Sequence, residues 1–387
     1  MSLRLLMLTQ DYPPAIGGIQ TYADCLSREW GQHCADFAVM APAQEGATLA
    51  DEKRDFDVFR VPGSSNTMRL TVFPHLKKRL KLRQFDAIFT GHWYVAAAAL
   101  RARKQGLVES VFIAAHAQEL RKNIMPFGLK TGYAIHRRQV LRQADGVFPV
   151  SHYTGQLLKD DGVDVERIHV VPNGTEVARF MHLDRQAARK RFRADYNLGN
   201  GPLIGTVARL VPRKGIDTVI QAMPRLLSEC PELRYVIVGA GDDEQRLQRL
   251  AIECNVSAQC VFLGKIPYDD LPRAYCALDC FVMPARQIGS SVEGFGLVFC
   301  EASACGTPVV GAHSGGIPDA VVDGRSGVLV EPDNVHAFLE GVLPILKNAE
   351  YGRNLGEFGR KHVIENGTWT VAAQKILAKM SERCGSR

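Results

Sequence analysis

LIGTVARLVPRKGID (203–217) decides the architecture. An apolar, β-rich run breaks at Arg209, passes through Pro212-Arg213-Lys214-Gly215 and gives way to helix-forming sequence near Ile216, which reads as a strand followed by a helix. The same pattern recurs after it in YVIVGAG (235–241), VFLGK (261–265), DCFVMPA (279–285), PVVGAH (308–313) and GVLVEP (327–332). Before it lies a polar, Arg-rich stretch (179–201), and before that an earlier series: LRLLML (3–8), ADFAVM (35–40), DAIFT (86–90), VFIAAH (111–116), GVFPVS (146–151) and IHVVPNG (168–174). Apolar runs alternating with helix-length segments describe a parallel, doubly wound sheet. Two such series in 387 residues, more than one core can fill, predict an α/β chain of two tandem Rossmann-like domains, 1–178 and 179–367. Ligands of such sheets bind beyond the carboxyl ends of the strands, so the expected site is a cleft with the two sheets facing across it.

Composition excludes several classes. No stretch approaches the roughly 20 apolar residues of a membrane span, and the first residues lack a signal-like apolar core and cleavage site, so the expectation is a cytoplasmic protein that can sit on the inner face of the membrane. Ten cysteines without a CxxC pair, among them Cys280, Cys300 and Cys305 in apolar runs, read as reduced thiols rather than a disulfide frame or zinc site. Residues 60–142 hold sixteen Lys/Arg against Asp86, Glu109 and Glu119, a net +13 within a chain of net +6. That gives the first domain a basic face. No nucleic-acid reader motif accompanies it, and stacking aromatics are few, so no nucleic acid is expected as partner.

The residues suited to chemistry stand at strand ends. Gly17-Gly18 follows the first strand and opens a helix running to about Trp30; adjacent glycines let a ligand approach the backbone, and free helix N–H groups favour an anion, a diphosphate or a bound sugar. The alternative there is a turn that merely needs positive φ. His116 ends the fourth run, where a histidine hydrogen-bonds a sugar hydroxyl, supports developing positive charge, or is simply structural. Arg209 and Lys214 put two cations ahead of a helix N-terminus, which suits a leaving diphosphate, while Arg213 reads as a solvated basic residue. In SSVEGFGLVFCEASACGTPVVG (290–311), Glu293 and Glu301 lie eight apart, Gly294 and Gly296 free backbone amides, and a helix begins near Gly296. Both carboxylates can then contact hydroxyls of one elongated ligand. Gly239-Ala240-Gly241 runs into Asp242, Asp243 and Glu244, acids that would repel a pyrophosphate, so a nicotinamide site is rejected.

Taken together, the Gly-Gly loop, VPNG (171–174), Arg209 and Lys214, the Glu293-to-Glu301 pattern and SGGIPDAV (314–321) resemble glycosyltransferase family 4, of GT-B fold, along nearly the whole chain. The resemblance implies that Arg209 and Lys214 bind the diphosphate, Glu301 the ribose, and Glu293 with the Phe295, Gly296 and Leu297 amides the sugar, with His116 beside it. It implies retention of anomeric configuration without metal or other cofactor, and a C-terminal helix (368–387) packed back on the first domain. Pro284-Ala285-Arg286, where many members read Pro-Ser, and IGGIQ (16–20) are similar to bacterial phosphatidylinositol mannosyltransferases, which favours GDP-mannose over a UDP-sugar.

The expected activity is therefore hexosyl transfer, mannosyl favoured, from a nucleotide-diphosphate sugar to a lipid-linked, glycan or small-molecule acceptor. A UDP-sugar epimerase of related fold is the alternative. PHLKKRLKLRQF (74–85) is basic and amphipathic and could draw the chain to anionic membranes at about 1 kcal/mol per cation.

Overall fold

The computed structural model describes residues 3–121, 130–181 and 183–385. They form two compact units, Met1–Gly174 with Trp369–Arg387, and Thr175–Thr368. The first unit thus gives way at Gly174 rather than 178, and the Arg-rich stretch belongs wholly to the second.

The first unit holds a parallel sheet of β1 (Arg4–Leu8), β2 (Asp36–Pro42), β3 (Asp57–Val61), β4 (Ala87–Thr90), β5 (Ser110–Ala115) and β6 (Gly146–Pro149), in the order β3-β2-β1-β4-β5-β6. Two expectations fail here. DVFRV (57–61) forms the edge strand β3, which the sequence hid because an edge tolerates Asp57 and Arg60 among its apolar residues. IHVVPNG (168–174) is not a sheet strand. His169 and Val171 donate to Val147 and Pro149 along the edge of β6, but the segment makes only an isolated bridge there, Ile168 against Val147.

The second unit repeats the plan with β7 (Leu203–Val207), β8 (Arg234–Val238), β9 (Cys260–Gly264), β10 (Cys280–Met283), β11 (Val309–Ala312) and β12 (Gly327–Val330), ordered β12-β11-β10-β7-β8-β9. In each sheet the strands are nearly solid Val, Ile, Leu, Ala and Phe, because helices cover both faces. The order reverses between β1 and β4 and between β7 and β10, the switch points where the following loops diverge and leave room for a ligand.

The Arg-rich stretch has a structural explanation. Its helix, Arg185–Asp195, buries Ala188 and Phe192, while Arg189 and Arg193 hold Asp279 and the Ala277 carbonyl just before β10. The C-terminal helix, Trp369–Gly385, lies in the first unit: Trp30 Nε1 donates to Ala373 O at 3.2 Å, and Trp369, Ile376 and Met380 are buried. No two cysteines are joined in a disulfide, and Cys280, Cys300 and Cys305 are buried.

Candidate functional site

In the second unit the site is built at the ends of β7, β10 and β11. Beyond β7 the chain runs against the β8 loop so closely that a Cβ on Gly239 or Gly241 would stand 1.8 Å from Ala208 O or 2.1 Å from Leu210 O. These glycines therefore serve packing, consistent with rejecting them as a dinucleotide loop. Arg209 is exposed, and no ion pair engages it among the described residues. The short turn Pro212–Lys214 ends at Gly215, whose φ of 72° and carbonyl neighbour, Pro284 O at 2.1 Å from any Cβ, exclude other residues. That turn carries Lys214 inward. Its Nζ donates to Glu293 Oε2 at 2.6 Å, and Arg213 Nη1 donates to the same oxygen at 2.6 Å.

Arg213 is thus not the solvated residue the sequence suggested: it is buried and is a partner of Glu293. Nothing in its spacing separates it from a surface arginine; the tertiary pairing decides. Burial alone would raise the Glu293 carboxyl, but Lys214 and Arg213 overcome it and hold the group down to about 2. Burial lowers the Lys214 ammonium, offset only in part by Glu293, and Arg213 and Arg209 push it the same way. The cluster of three cations and one carboxylate carries excess positive charge, and a bound anion would relieve it.

Glu293 itself is fixed from behind by the turn at 314–316: Gly316 N–H donates to its carbonyl at 2.9 Å, and Gly315, at φ 56°, approaches within a distance no Cβ would allow. Gly294 is half-buried, and the Phe295 side chain is buried. Gly296, at φ 98°, caps the helix Leu297–Ala304 with no side chain in attendance. Glu301, partly exposed, lies on this helix and accepts from Tyr275 Oη at 2.6 Å. Burial raises its carboxyl against that hydrogen bond. Arg286 is engaged elsewhere, with Asp217 at 2.6 Å and Asp333 at 2.8 Å.

The first unit gathers a second set of polar groups. Gly17 is extended (φ 164°) and Gly18 begins the helix Gly18–His33, whose first turn has no side-chain cap; the positive-φ turn considered for this pair does not occur. His116, beyond β5, is buried, its Nε2 3.2 Å from Gly91 O and its ring edge-on to Tyr22 at 4.7 Å. Tyr22 packs in turn against Trp369 at 5.8 Å. Burial, reinforced by His92, lowers the His116 imidazole to about 3, so it is neutral and would meet positive charge as a dipole rather than as a cation. Ala117 adopts φ 74°, and Glu119 Oε1 accepts from the His116 N–H at 2.5 Å, pinning this turn. Asp11, Gln20 and His92 join the group; sequence spacing gave no signal for them.

The basic face is partly consumed: Arg60, Arg83, Arg103, Arg137 and Arg138 pair with acids. On the helix Ser65–Leu82, Leu76 and Leu80 face the core, while Lys78, Lys81, Leu70 and Leu82 are exposed. Lys122 lies outside the described residues, as does the side chain of Lys130.

Two family descriptions match: Glycosyltransferase Family 4 over residues 16–179 and Glycosyl transferases group 1 over residues 188–362. A GDP-mannose-dependent alpha-(1-6)-phosphatidylinositol monomannoside mannosyltransferase of Mycolicibacterium smegmatis is 32% identical over 99% of this chain and 100% of its own. The chain belongs to glycosyltransferase family 4. A GDP-mannose-dependent monoacylated alpha-(1-6)-phosphatidylinositol monomannoside mannosyltransferase of Corynebacterium glutamicum is 32% identical over 97% of each chain. Among solved structures, Anabaena HepE in complex with UDP superposes with a TM-score of 0.81 at 18% identity, over 98% of this chain and 100% of that one. WaaG, a glycosyltransferase involved in lipopolysaccharide biosynthesis, gives 0.71 at 17% identity, over 97% and 99%. The fold is thus the two-domain α/β fold of the GT-B glycosyltransferases, and the chain is a glycosyltransferase that moves a hexosyl group from a nucleotide sugar. These findings give no support to the epimerase alternative. Among the described residues no helix is long and apolar enough to cross a membrane, and no three His, Cys, Asp or Glu side chains are grouped to hold a metal ion.

Proposed function

We propose that the chain is a retaining, metal-independent mannosyltransferase that uses GDP-mannose and delivers the sugar to a lipid-linked acceptor of the phosphatidylinositol type at an anionic membrane surface. The observation that carries this reading is the convergence of Lys214 and Arg213 on Glu293 beside the exposed Arg209. In the bound state the donor diphosphate takes Arg209 and Lys214, the sugar hydroxyls take Glu293 with the Gly294, Phe295, Gly296 and Leu297 backbone, and the ribose takes Glu301. The first unit, which carries Gly17, Gly18 and His116, receives the acceptor. As the anomeric C–O bond breaks, charge builds on the leaving phosphate, where preorganised cations stabilise the transition state more than the ground state. The acceptor oxygen bonds to the anomeric carbon and its proton passes to the departing phosphate oxygen, so no protein base is required. GDP and phosphatidylinositol are favoured by the relatives' specificities, and the exposed Lys78, Lys81, Leu70 and Leu82 suit peripheral attachment on the inner face of the membrane.

A thermal-shift screen with GDP, UDP, ADP and TDP tests the donor. A ligand at a hundredfold its dissociation constant adds about 2.7 kcal/mol of stability. GDP should shift the melt most; a larger UDP shift overturns the donor assignment. Proton NMR of the first-formed product tests retention, and undiminished transfer in EDTA tests metal independence. Equal sedimentation with neutral and anionic vesicles would refute the membrane surface.

A further inference from the structure

At the end of the second sheet opposite the cluster around Glu293, the chain encloses a cavity of about 580 Å³ whose walls carry four cations and no acid among the described residues. Three of the cations, Arg189, Lys190 and Arg193, stand with Gln186 on one face of the helix Arg185–Asp195, because residues three and four apart share a helix face. The fourth, Arg234, opens β8, and its Nη1 donates to the Asn197 carbonyl at 2.6 Å. Behind the wall, Asp279 takes Arg189 at 2.8 Å and Arg193 at 3.0 Å just before β10 begins. Four cations against this one carboxylate leave a net charge of +3.

Packing uses only part of this Arg-rich stretch. Arg193 is buried and spends its donors on Asp279 and on the carbonyls of Ala277, Gly199 and Gly201, so its role is structural. Lys190 is different: it is exposed and makes no hydrogen bond or ion pair among the described residues. Arg234 is half-buried, and no carboxylate pairs with it among the described residues. The acids at the two ends of the helix are engaged elsewhere, Asp184 in capping its first turn and Asp195 with Arg273. Arg185, Arg189 and Arg193 follow one another at intervals of four, a ladder of like charge that works against the helix. Burial lowers the Arg193 guanidinium, Arg189 pushes it the same way, and Asp279 offsets only part of this. An anion in the cavity would relieve that repulsion.

We propose that this cavity is a second anion site, which takes a phosphate-bearing ligand apart from the sugar donor. A doubly wound sheet binds its substrate beyond the carboxyl ends of the strands, whereas this cavity lies at the amino ends of β7, β8 and β10, so a nucleotide in the donor site leaves it open. Guanidinium forks match paired oxygens of a phosphate, and a lysine adds a mobile point charge. A net +3 suits a phosphate ester or pyrophosphate better than a single carboxylate, and the volume falls in the range that holds a small metabolite. A soluble phosphate ester and the phosphate of an anionic lipid headgroup offer the same chemistry to these residues.

The test titrates inorganic pyrophosphate into the full chain by calorimetry, with GDP held at saturation so that Arg209 and Lys214 are already occupied. Pyrophosphate should still bind, at a single site. Lys190→Glu should weaken it by at least about tenfold with an unchanged melting temperature, since Lys190 is exposed, and Arg234→Gln should weaken it by a similar factor. Lys375→Glu, which alters an exposed lysine on the C-terminal helix of the first unit, should leave binding within twofold of wild type. Sedimentation with phosphatidylcholine vesicles, with and without phosphatidylinositol, separates the two sources. Pyrophosphate binding with sedimentation unaffected by Lys190→Glu assigns the site to a soluble phosphate. Sedimentation that needs phosphatidylinositol, falls in Lys190→Glu and is competed by pyrophosphate assigns it to a headgroup. No pyrophosphate binding up to about 10 mM, or an equal loss in Lys190→Glu and Lys375→Glu, overturns the proposal.

Discussion

Replacing Lys214 with alanine should disturb catalysis and stability together, and pH separates the two effects. Lys214 Nζ lies 2.6 Å from Glu293 Oε2, with the side chains 10% and 15% exposed. If Lys214 holds the leaving diphosphate, removing one preorganised donor costs about 3–4 kcal/mol, a loss of roughly 100- to 1000-fold in kcat, while acceptor KM hardly changes. The stability effect comes through Glu293, whose carboxyl falls from an ordinary 4.5 to about 2 in the folded chain. A depression of that size is worth roughly 3 kcal/mol, present above the unfolded group's pKa and lost as pH falls from 4.5 toward 2. Without Lys214, only Arg213 opposes burial and the carboxyl moves back up. The variant should lose roughly 1–2 kcal/mol at pH 7, and its deficit should narrow by about a third near pH 3, where the raised Glu293 carboxyl of the folded variant already takes up its proton while that of the wild type does not. Steady-state rates at saturating GDP-mannose and thermal melts at pH 7 and pH 3 read both effects. A kcat within threefold of wild type refutes the diphosphate role. A melting deficit equal at both pH values refutes the charge pairing as its cause.

Three further outcomes follow from the same geometry. Arg209→Ala should lower kcat as Lys214→Ala does but leave the melting temperature unchanged, because Arg209 is exposed and makes no ion pair among the described residues; a matching loss of stability would contradict this. Tyr275→Phe removes the donor to Glu301, worth about 1–1.5 kcal/mol, and should raise donor KM up to about tenfold with little change in kcat, checked by initial rates over donor concentration. Trp369→Ala empties a buried position behind Tyr22 and His116 and should destabilise the first unit by about 3–5 kcal/mol, seen as an early melting transition; a chain ending at residue 366 that melts like wild type would show the C-terminal helix to be dispensable.

Among the described residues, eleven of the twelve strands coincide with apolar runs visible in the sequence, because a strand of a parallel sheet buried on both faces must be apolar throughout. The twelfth, β3, lies on an edge where one side meets solvent, so its charges masked it. The run at 168–174 erred the other way: it is apolar enough for a strand, but it makes only an isolated bridge with β6. Gly215 and Gly296 mark turns that must adopt positive φ, and Gly239 and Gly241 mark close backbone contacts. Such demands are local, and a glycine in a loop records them.

The sequence by itself therefore determined the two-sheet α/β plan, the strand-end positions of Lys214, Glu293 and His116, the place of Glu301 on the helix that follows, and the family. Tertiary structure decided which of these residues meet. Lys214 and Arg213 reach Glu293 across about eighty residues of chain, Tyr275 reaches Glu301 from a neighbouring helix, and Asp11, Gln20 and His92 converge from three separate segments. Strand order in a parallel sheet brings distant loops to one end, and neither the period of a strand nor the spacing of a motif records which side chains on those loops will share a proton or a charge.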